Sequence, residues 1–169
     1  MKLKNIVVSM APLFLLIVGN NAHAQASVNG NMIVSSILSP VCYLSVDNFG
    51  FTNVTESLTS GNFYTAKEII ITCTKTTAFE ISLSSGESND YSQRFMIGMK
   101  AGNSDKLKYN IYTDQSFSNI IGNGSSSTVT LNDIGTGIVL RKNIYAKINA
   151  QSYITPDNYN DNITVTINY

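Results

Sequence analysis

Apolar and polar residues alternate along most of this chain, a pattern typical of half-buried β-strands. It predicts strands over residues 67–73, 78–84, 107–113 and 137–148. The residues predicted to face the core are Ile69, Ile71, Cys73, Phe79, Ile81, Leu83, Leu107, Tyr109, Ile111, Ile144, Ala146 and Ile148. Stretches rich in glycine, serine and asparagine at 84–90 and 122–127 favour turns. With no helical stretch between them, these elements predict a single all-β sandwich.

The last eleven residues, 159–169, also alternate and predict a strand that runs to the end of the chain. One face carries Ile163, Val165, Ile167 and Tyr169, and the other carries Thr164, Thr166 and Asn168. The pattern fits an ordinary last strand of a sandwich. Taken alone, the pattern says nothing about a partner for this strand.

A second strand-like stretch precedes the first cysteine, over residues 25–39. One parity holds Ala26, Val28, Gly30, Met32, Val34 and Leu38, interrupted by Ser36, while Ile33 and Ile37 fall on the polar parity. One interpretation is the first strand of the sandwich. The other is a detachable strand that pairs with the sheet edge of another subunit and buries alternate side chains there.

The first 24 residues have the pattern of a secretory signal peptide. Lys2 and Lys4 precede an apolar stretch at 6–18, and Ala22 and Ala24 occupy the positions that a signal peptidase reads. The apolar stretch is too short to predict a membrane span. We therefore expect residues 1–24 to be removed and the product to be secreted.

Charge argues against nucleic acid and anionic membranes as partners. Without Lys2 and Lys4, nine of the eleven basic residues remain to face eleven acidic ones, a net charge of about minus two. The charges are scattered with no run longer than a pair, so each is expected at the solvated surface.

Two cysteines, Cys42 and Cys73, remain in the mature chain. In an oxidising compartment an even pair predicts one disulfide, here joining the first strand of the sandwich to the strand that carries Ile69 and Ile71. In the chain-entropy model such a bond stabilises the fold by roughly 3 to 4 kcal/mol.

Candidate chemistry is sparse, and no enzyme, cofactor or metal site is expected. The only histidine, His23, lies in the signal peptide. The carboxylates form no obvious acid/base pair, although two that are distant in sequence can meet in space, and no nucleophile elbow or phosphate loop is present. A sugar-binding sandwich is a further alternative, because nine tyrosines can supply stacking faces. We expect Tyr109 in the core and Tyr112 on a sheet surface.

The order of these features resembles the spore coat protein U-like subunits of archaic chaperone/usher pili. The resemblance covers essentially all of the mature chain and rests on short segments in a fixed order. They are the alternating extension, Cys42, Phe49-Gly50, Ile71-Thr72-Cys73, residues 107–112 (LKYNIY) and residues 159–169 (YNDNITVTINY). Two positions depart from the family pattern: the family often has Trp-Gly near Ile121-Gly122, and often a glycine where this chain has Asp157.

The resemblance implies an incomplete immunoglobulin-like sandwich that is completed by a donor strand. Residues 25–38 would be the N-terminal donor-strand extension and residues 39–169 the pilin domain. The donor residues would be Val28, Met32, Val34 and Leu38, and the strand that contacts the chaperone or the donor would present Ile163, Val165, Ile167 and Tyr169.

The function implied is that of a structural subunit of a secreted surface pilus that supports adhesion or biofilm formation. Its partners would be a periplasmic chaperone, an outer-membrane usher and neighbouring pilin subunits in a homo- or hetero-polymer. A single domain with a donor-like extension favours a shaft subunit over a tip adhesin. The alternative is a secreted sugar-binding or coat/matrix β-sandwich protein.

Overall fold

A computed structural model describes residues 25–51, 54 and 63–169. The predicted signal peptide lies outside these residues. The sandwich is built from Leu38–Tyr169. Within the described part of the chain, no helix has the length and hydropathy needed to cross a membrane.

Two antiparallel sheets make up the sandwich. The larger has the strand order β1-β2-β7-β5-β4-β8, and the smaller has the order β6-β3-β9. The strands are β1 (Cys42–Val46), β2 (Phe63–Cys73), β3 (Ala78–Leu83), β4 (Arg94–Gly98), β5 (Lys106–Tyr112), β6 (Leu131–Ile134), β7 (Leu140–Ile148), β8 (Tyr159–Asn160) and β9 (Val165–Asn168). A short 3-10 turn, Gly86–Ser88, follows β3. The predicted all-β, immunoglobulin-like sandwich class is confirmed.

The core lies between the inner faces of the two sheets, where alternation placed it. The longest ladder, between β2 and β7, runs from Phe63 opposite Ile148 to Ile71 opposite Leu140. Every residue that the alternation in β2, β3, β5 and β7 assigned to the core is buried. Because isoleucine, a β-branched residue, fills half of these positions, the pleated inner faces pack closely.

The disulfide prediction is also confirmed. Cys42 and Cys73 are bonded, face each other in the β1–β2 ladder and have Cα atoms 4.1 Å apart. The bond therefore fastens the edge strand β1 to the strand that carries Ile69 and Ile71.

The single strand predicted over residues 159–169 is wrong, because the structure divides it between the two sheets. Tyr159–Asn160 pairs with β4 in the larger sheet, whereas Val165–Asn168 pairs with β3 in the smaller one. Asp161 lies at the crossing and accepts hydrogen bonds from the Tyr109 hydroxyl and the Glu87 amide. These contacts with residues distant in sequence turn the chain at Asp161, although the alternation of apolar and polar residues continues past it. Similarly, the strand predicted to begin at residue 137 begins at Leu140.

Two predicted surface positions are buried. Tyr112 is only 7% exposed, because the ring of Phe117 packs against it at 5.4 Å between centroids on the outer face of the larger sheet. Arg94 is 0% exposed, although every charge was expected at the surface. Its guanidinium bonds to backbone carbonyls inside the sandwich.

In the part of the chain that the structure describes, residues 25–41 belong to no strand. The side chains of Val28, Met32 and Val34 are 97%, 88% and 87% exposed, and Leu38 is 88% exposed. The first strand of the sandwich is β1, so residues 25–38 do not serve as that strand.

Candidate functional site

The most unusual feature of the sandwich is the outer edge of its last strand. β9 pairs with β3 from Val165 opposite Leu83 to Asn168 opposite Glu80, and among the described residues no strand pairs with its other edge. β1 is one of the two edge strands of the larger sheet and lies close to β9. Two edge strands, one from each sheet, thus flank an opening in the sandwich. A free edge presents unpaired N–H and C=O groups and is a template for another strand.

A groove of about 610 Å³ occupies this opening. Its apolar lining comes from the end of β1, from β4 and from the segment leading into β9, and includes Val46, Phe49, Phe51, Met96, Ile163 and Val165. A neighbouring cavity of about 870 Å³ shares Phe49, Phe51 and Met96 and extends to Leu107, Ile148 and Ile154. An apolar groove beside a free strand edge can bind an extended peptide with alternating apolar side chains.

Three of the predicted acceptor residues, Ile163, Val165 and Ile167, are half-buried and pack against the core, whereas Tyr169 is 59% exposed. Only Val165 and Ile167 lie within β9 itself. Ile163 and Val165 line the groove, while the alternate residues Thr164 and Thr166 are exposed. The alternation thus assigned the faces of residues 163–167 as the structure has them, whereas Tyr169, predicted on the buried face, is exposed.

The floor of the groove is built around a buried tyrosine. The hydroxyl of Tyr109 donates to Oδ2 of Asp161 at 2.7 Å, and the amide of Glu87 donates to Oδ1 of Asp161 at 2.9 Å. Burial, together with the hydrogen bond to Asp161, raises the pKa of Tyr109. Gly86 has φ of +63°, and a Cβ there would collide with the carboxylate of Asp161. A glycine is therefore required for the carboxylate to reach this position.

Arg94 supports the same floor from within the sandwich. Its Nε and Nη2 donate to the Ser84 carbonyl at 2.9 and 2.7 Å, and Nη2 also donates to the Ile121 carbonyl at 2.9 Å. Burial lowers the pKa of Arg94, but a guanidinium keeps its charge in proteins. The residue ties β4 to the end of β3 and to the loop at Ile121. Its partners lie 10 and 27 residues away in sequence, so no local pattern announced it.

The two departures from the family pattern have structural explanations. Asp157 lies where the family often has a glycine. Its Oδ2 accepts from the Lys100 amide at 2.9 Å and from Asn103 Nδ2 at 2.7 Å, which joins two loops beside the neighbouring cavity. Ile121 is fully buried where the family often has tryptophan, and Gly122 is retained next to Thr128, whose side chain leaves no room for a Cβ.

Over the described residues, no three histidine, cysteine or acidic side chains form a group that could hold a metal ion. Asp161 in the groove and Asp157 in the neighbouring cavity both hold loops in place through hydrogen bonds to backbone amides. What the groove offers chemically is apolar surface beside a strand edge.

The fold and groove together define the class: a two-sheet β-sandwich with an open edge. The model of the Spore Coat Protein U domain matches residues 28–166, and the chain belongs to that family. No curated protein matches the sequence.

Among solved structures, the chain is similar to one in the "chaperone-tip adhesion subunit pre-assembly complex from archaic chaperone-usher Csu pili of Acinetobacter baumannii", a complex of CsuC and CsuE. The match has a TM-score of 0.54 and 19% sequence identity. It covers 78% of this chain but only 40% of the other, so this chain spans less than half the length of that protein. At this identity the likeness supports the fold.

Proposed function

We propose that this protein is a structural pilus subunit that polymerises by donor-strand exchange. In this proposal residues 25–38 of one subunit add a strand beside β9 of the next and fill its groove. The observation that carries the proposal is the outer edge of β9, which pairs with no strand among the described residues and lies above an apolar groove. A chain that also carries an exposed, alternating apolar segment has both halves of one joint.

The two halves are chemically complementary. Val28, Met32 and Val34 share one parity and present apolar side chains, as the groove requires. Burying these three with Leu38 would contribute on the order of 6 to 12 kcal/mol before ordering costs. The added strand would also satisfy the free backbone groups of β9, and the ladder of hydrogen bonds would make separation slow.

The open groove also explains why the subunit would need a chaperone. Until a donor arrives, the groove leaves apolar surface and a strand edge exposed, a combination that promotes aggregation. A periplasmic chaperone would cover it with a strand of its own, and an outer-membrane usher would exchange that strand for residues 25–38 of the incoming subunit. The similar Csu structure, described as a chaperone–subunit complex, supports this partner class.

The product would be a fibre on the cell surface that supports adhesion or biofilm formation. Export through the periplasm agrees with the predicted signal peptide and with the Cys42–Cys73 disulfide, which needs an oxidising compartment. The family and the fold favour a structural role over catalysis.

Deletion of residues 25–38 separates the two halves of the joint. The deleted subunit should still copurify with the chaperone, because its groove is intact, but it should add no further subunit to a polymer. Val165→Asp is the opposite case, since it places a carboxylate in the groove wall and should abolish chaperone binding. Normal polymers from the deletion variant, visible as detergent-resistant ladders, would refute the donor assignment.

A further inference from the structure

The segment that joins residues 25–38 to the sandwich is held firmly at its base. The Val41 amide donates to the Thr74 hydroxyl at 3.2 Å, and the Thr74 amide donates to the Val41 carbonyl at 3.0 Å. The next residue, Cys42, is fixed by the disulfide. Pro40 has a fixed φ and restricts the residue before it to extended conformations. The chain is therefore anchored at Val41, immediately before β1.

Apolar side chains are exposed around this exit point. We name them the root patch: Val41, Tyr43, Ile138 and Val139, which are 37%, 69%, 69% and 51% exposed. Tyr43 faces Thr72 in the β1–β2 ladder. Leu140 faces Ile71, and the Gly137 amide donates to the Cys73 carbonyl at 3.1 Å. Residues 138–139 are thus held beside the end of β2, two strand spacings, or about 10 Å, from β1.

The length of the connection limits where a neighbouring subunit can lie. Leu38 and Val41 are three residues apart, so their separation is at most about 11 Å even when fully extended. Any surface that holds Leu38 must therefore come within that distance of Val41. The root patch extends about as far from Val41 as Leu38 can lie. A groove that holds Leu38 would therefore have its rim against the root patch.

We propose that the root patch is an interface with a second copy of this chain, in addition to the donor strand itself. This inference rests on the proposed polymerisation. The groove rim carries exposed apolar residues of its own, Ile97 at 42% and Met99 at 61%, which suit an apolar partner. The contact is heterologous, so it repeats along a fibre rather than closing a dimer. It fixes the angle between successive subunits and stiffens the fibre.

Hydroxyl-radical footprinting of assembled fibres tests the contact directly. Tyr43 and Tyr64 are 69% and 60% exposed in the subunit, so without an interface their rates of modification should be similar. Burial in the core of an interface should lower the Tyr43 rate about fivefold or more relative to Tyr64. Equal rates for the two tyrosines in fibres would overturn the root-patch proposal.

Val139→Asp tests the consequence, with Ala66→Asp as its control. Ala66 is exposed on β2, away from the root, and gains the same charge. Val139→Asp fibres should keep their detergent-resistant ladders but bend more in electron micrographs, with a shorter persistence length. Ala66→Asp fibres should bend like wild type. Equal bending of both variants would contradict the proposal. If wild-type subunits gave no detergent-resistant ladders, donor-strand exchange itself would be refuted instead.

Discussion

Strands β2 and β9 carry the same alternation of apolar and polar residues but have different neighbours. β2 lies between β1 and β7, and its Ile69 and Ile71 are completely buried. β9 has only β3 beside it within the described chain, and its Val165 and Ile167 remain half-buried. Alternation decides which face of a strand is apolar, whereas neighbouring strands decide how far that face is covered. For β9, the proposed function assigns the missing cover to the donor strand of a neighbouring subunit.

The open side is nevertheless ordered beneath its surface. Arg94 joins β4 to the end of β3, and the hydrogen bond from Tyr109 to Asp161 fixes the segment that leads into β9. A groove whose floor is held in place loses less entropy when a strand binds. The sheet around β2 is thus stabilised by apolar packing. The groove beside β9 is stabilised by polar contacts that lie below its apolar lining.

Arg94→Ala should give the largest loss of stability on the open side. It removes the donor to the Ser84 and Ile121 carbonyls and leaves a cavity, which should cost about 3 to 5 kcal/mol. Urea unfolding of the chaperone-free subunit at low concentration measures this. Arg141→Ala is the matched control, because Arg141 is an exposed residue paired with Glu68 and should cost less than about 1 kcal/mol. Equal losses for both variants would contradict a supporting role for Arg94.

Replacing both cysteines by serine tests the wall that β1 contributes to the groove. The bond fastens β1 to the covered ladder, and its loss should lower the free energy of unfolding by about 3 to 4 kcal/mol. Urea midpoints of the double variant and of wild type with intact disulfide provide the comparison. Unchanged midpoints would mean that the β1–β2 ladder holds this wall without the bond.

Tyr109→Phe should have a smaller effect, about 1.5 to 3 kcal/mol, because one hydrogen bond to a carboxylate is lost. Burial raises the pKa of Tyr109, so the protonated hydroxyl stabilises the fold at neutral pH. That contribution is complete below about pH 10, the unfolded value, and is lost as the pH rises further. Unfolding measured against pH should show an alkaline loss in wild type that Tyr109→Phe weakens.

Tyr64→Phe is the control, because it removes the same hydroxyl group from an exposed tyrosine. It should change the free energy of unfolding at neutral pH by less than about 0.5 kcal/mol. An alkaline loss of equal size in Tyr109→Phe would show that other groups cause it.

The strands that follow local alternation were predictable from sequence, and those set by distant contacts were not. Alternation found the buried faces of β2, β3, β5 and β7, and compartment chemistry found the disulfide. The division of residues 159–169 between two sheets depends on contacts of Asp161 with Tyr109 and Glu87, 52 and 74 residues away. Burial of Tyr112 depends on Phe117, which returns over the sheet in the following loop.

Only part of the candidate site was predictable from the sequence. The apolar parities of the extension and of the last strand are visible in the sequence, and they suggested a donor and an acceptor. The groove itself, its floor and the buried Arg94 arise from strands that meet only in the folded chain, so no local pattern predicted them.

Titration of wild-type subunits with Met32→Asp subunits tests donor-strand exchange most directly. A carboxylate at position 32 would be buried in an apolar groove without a partner, so the variant should accept a neighbour's strand but be unable to donate its own. Asn31→Asp is the matched control, because it adds the same charge on the opposite parity of the extension. Detergent-resistant ladders should shorten steadily as the Met32→Asp fraction rises and stay unchanged with Asn31→Asp. Ladders that keep their full length at every fraction of Met32→Asp would contradict the account.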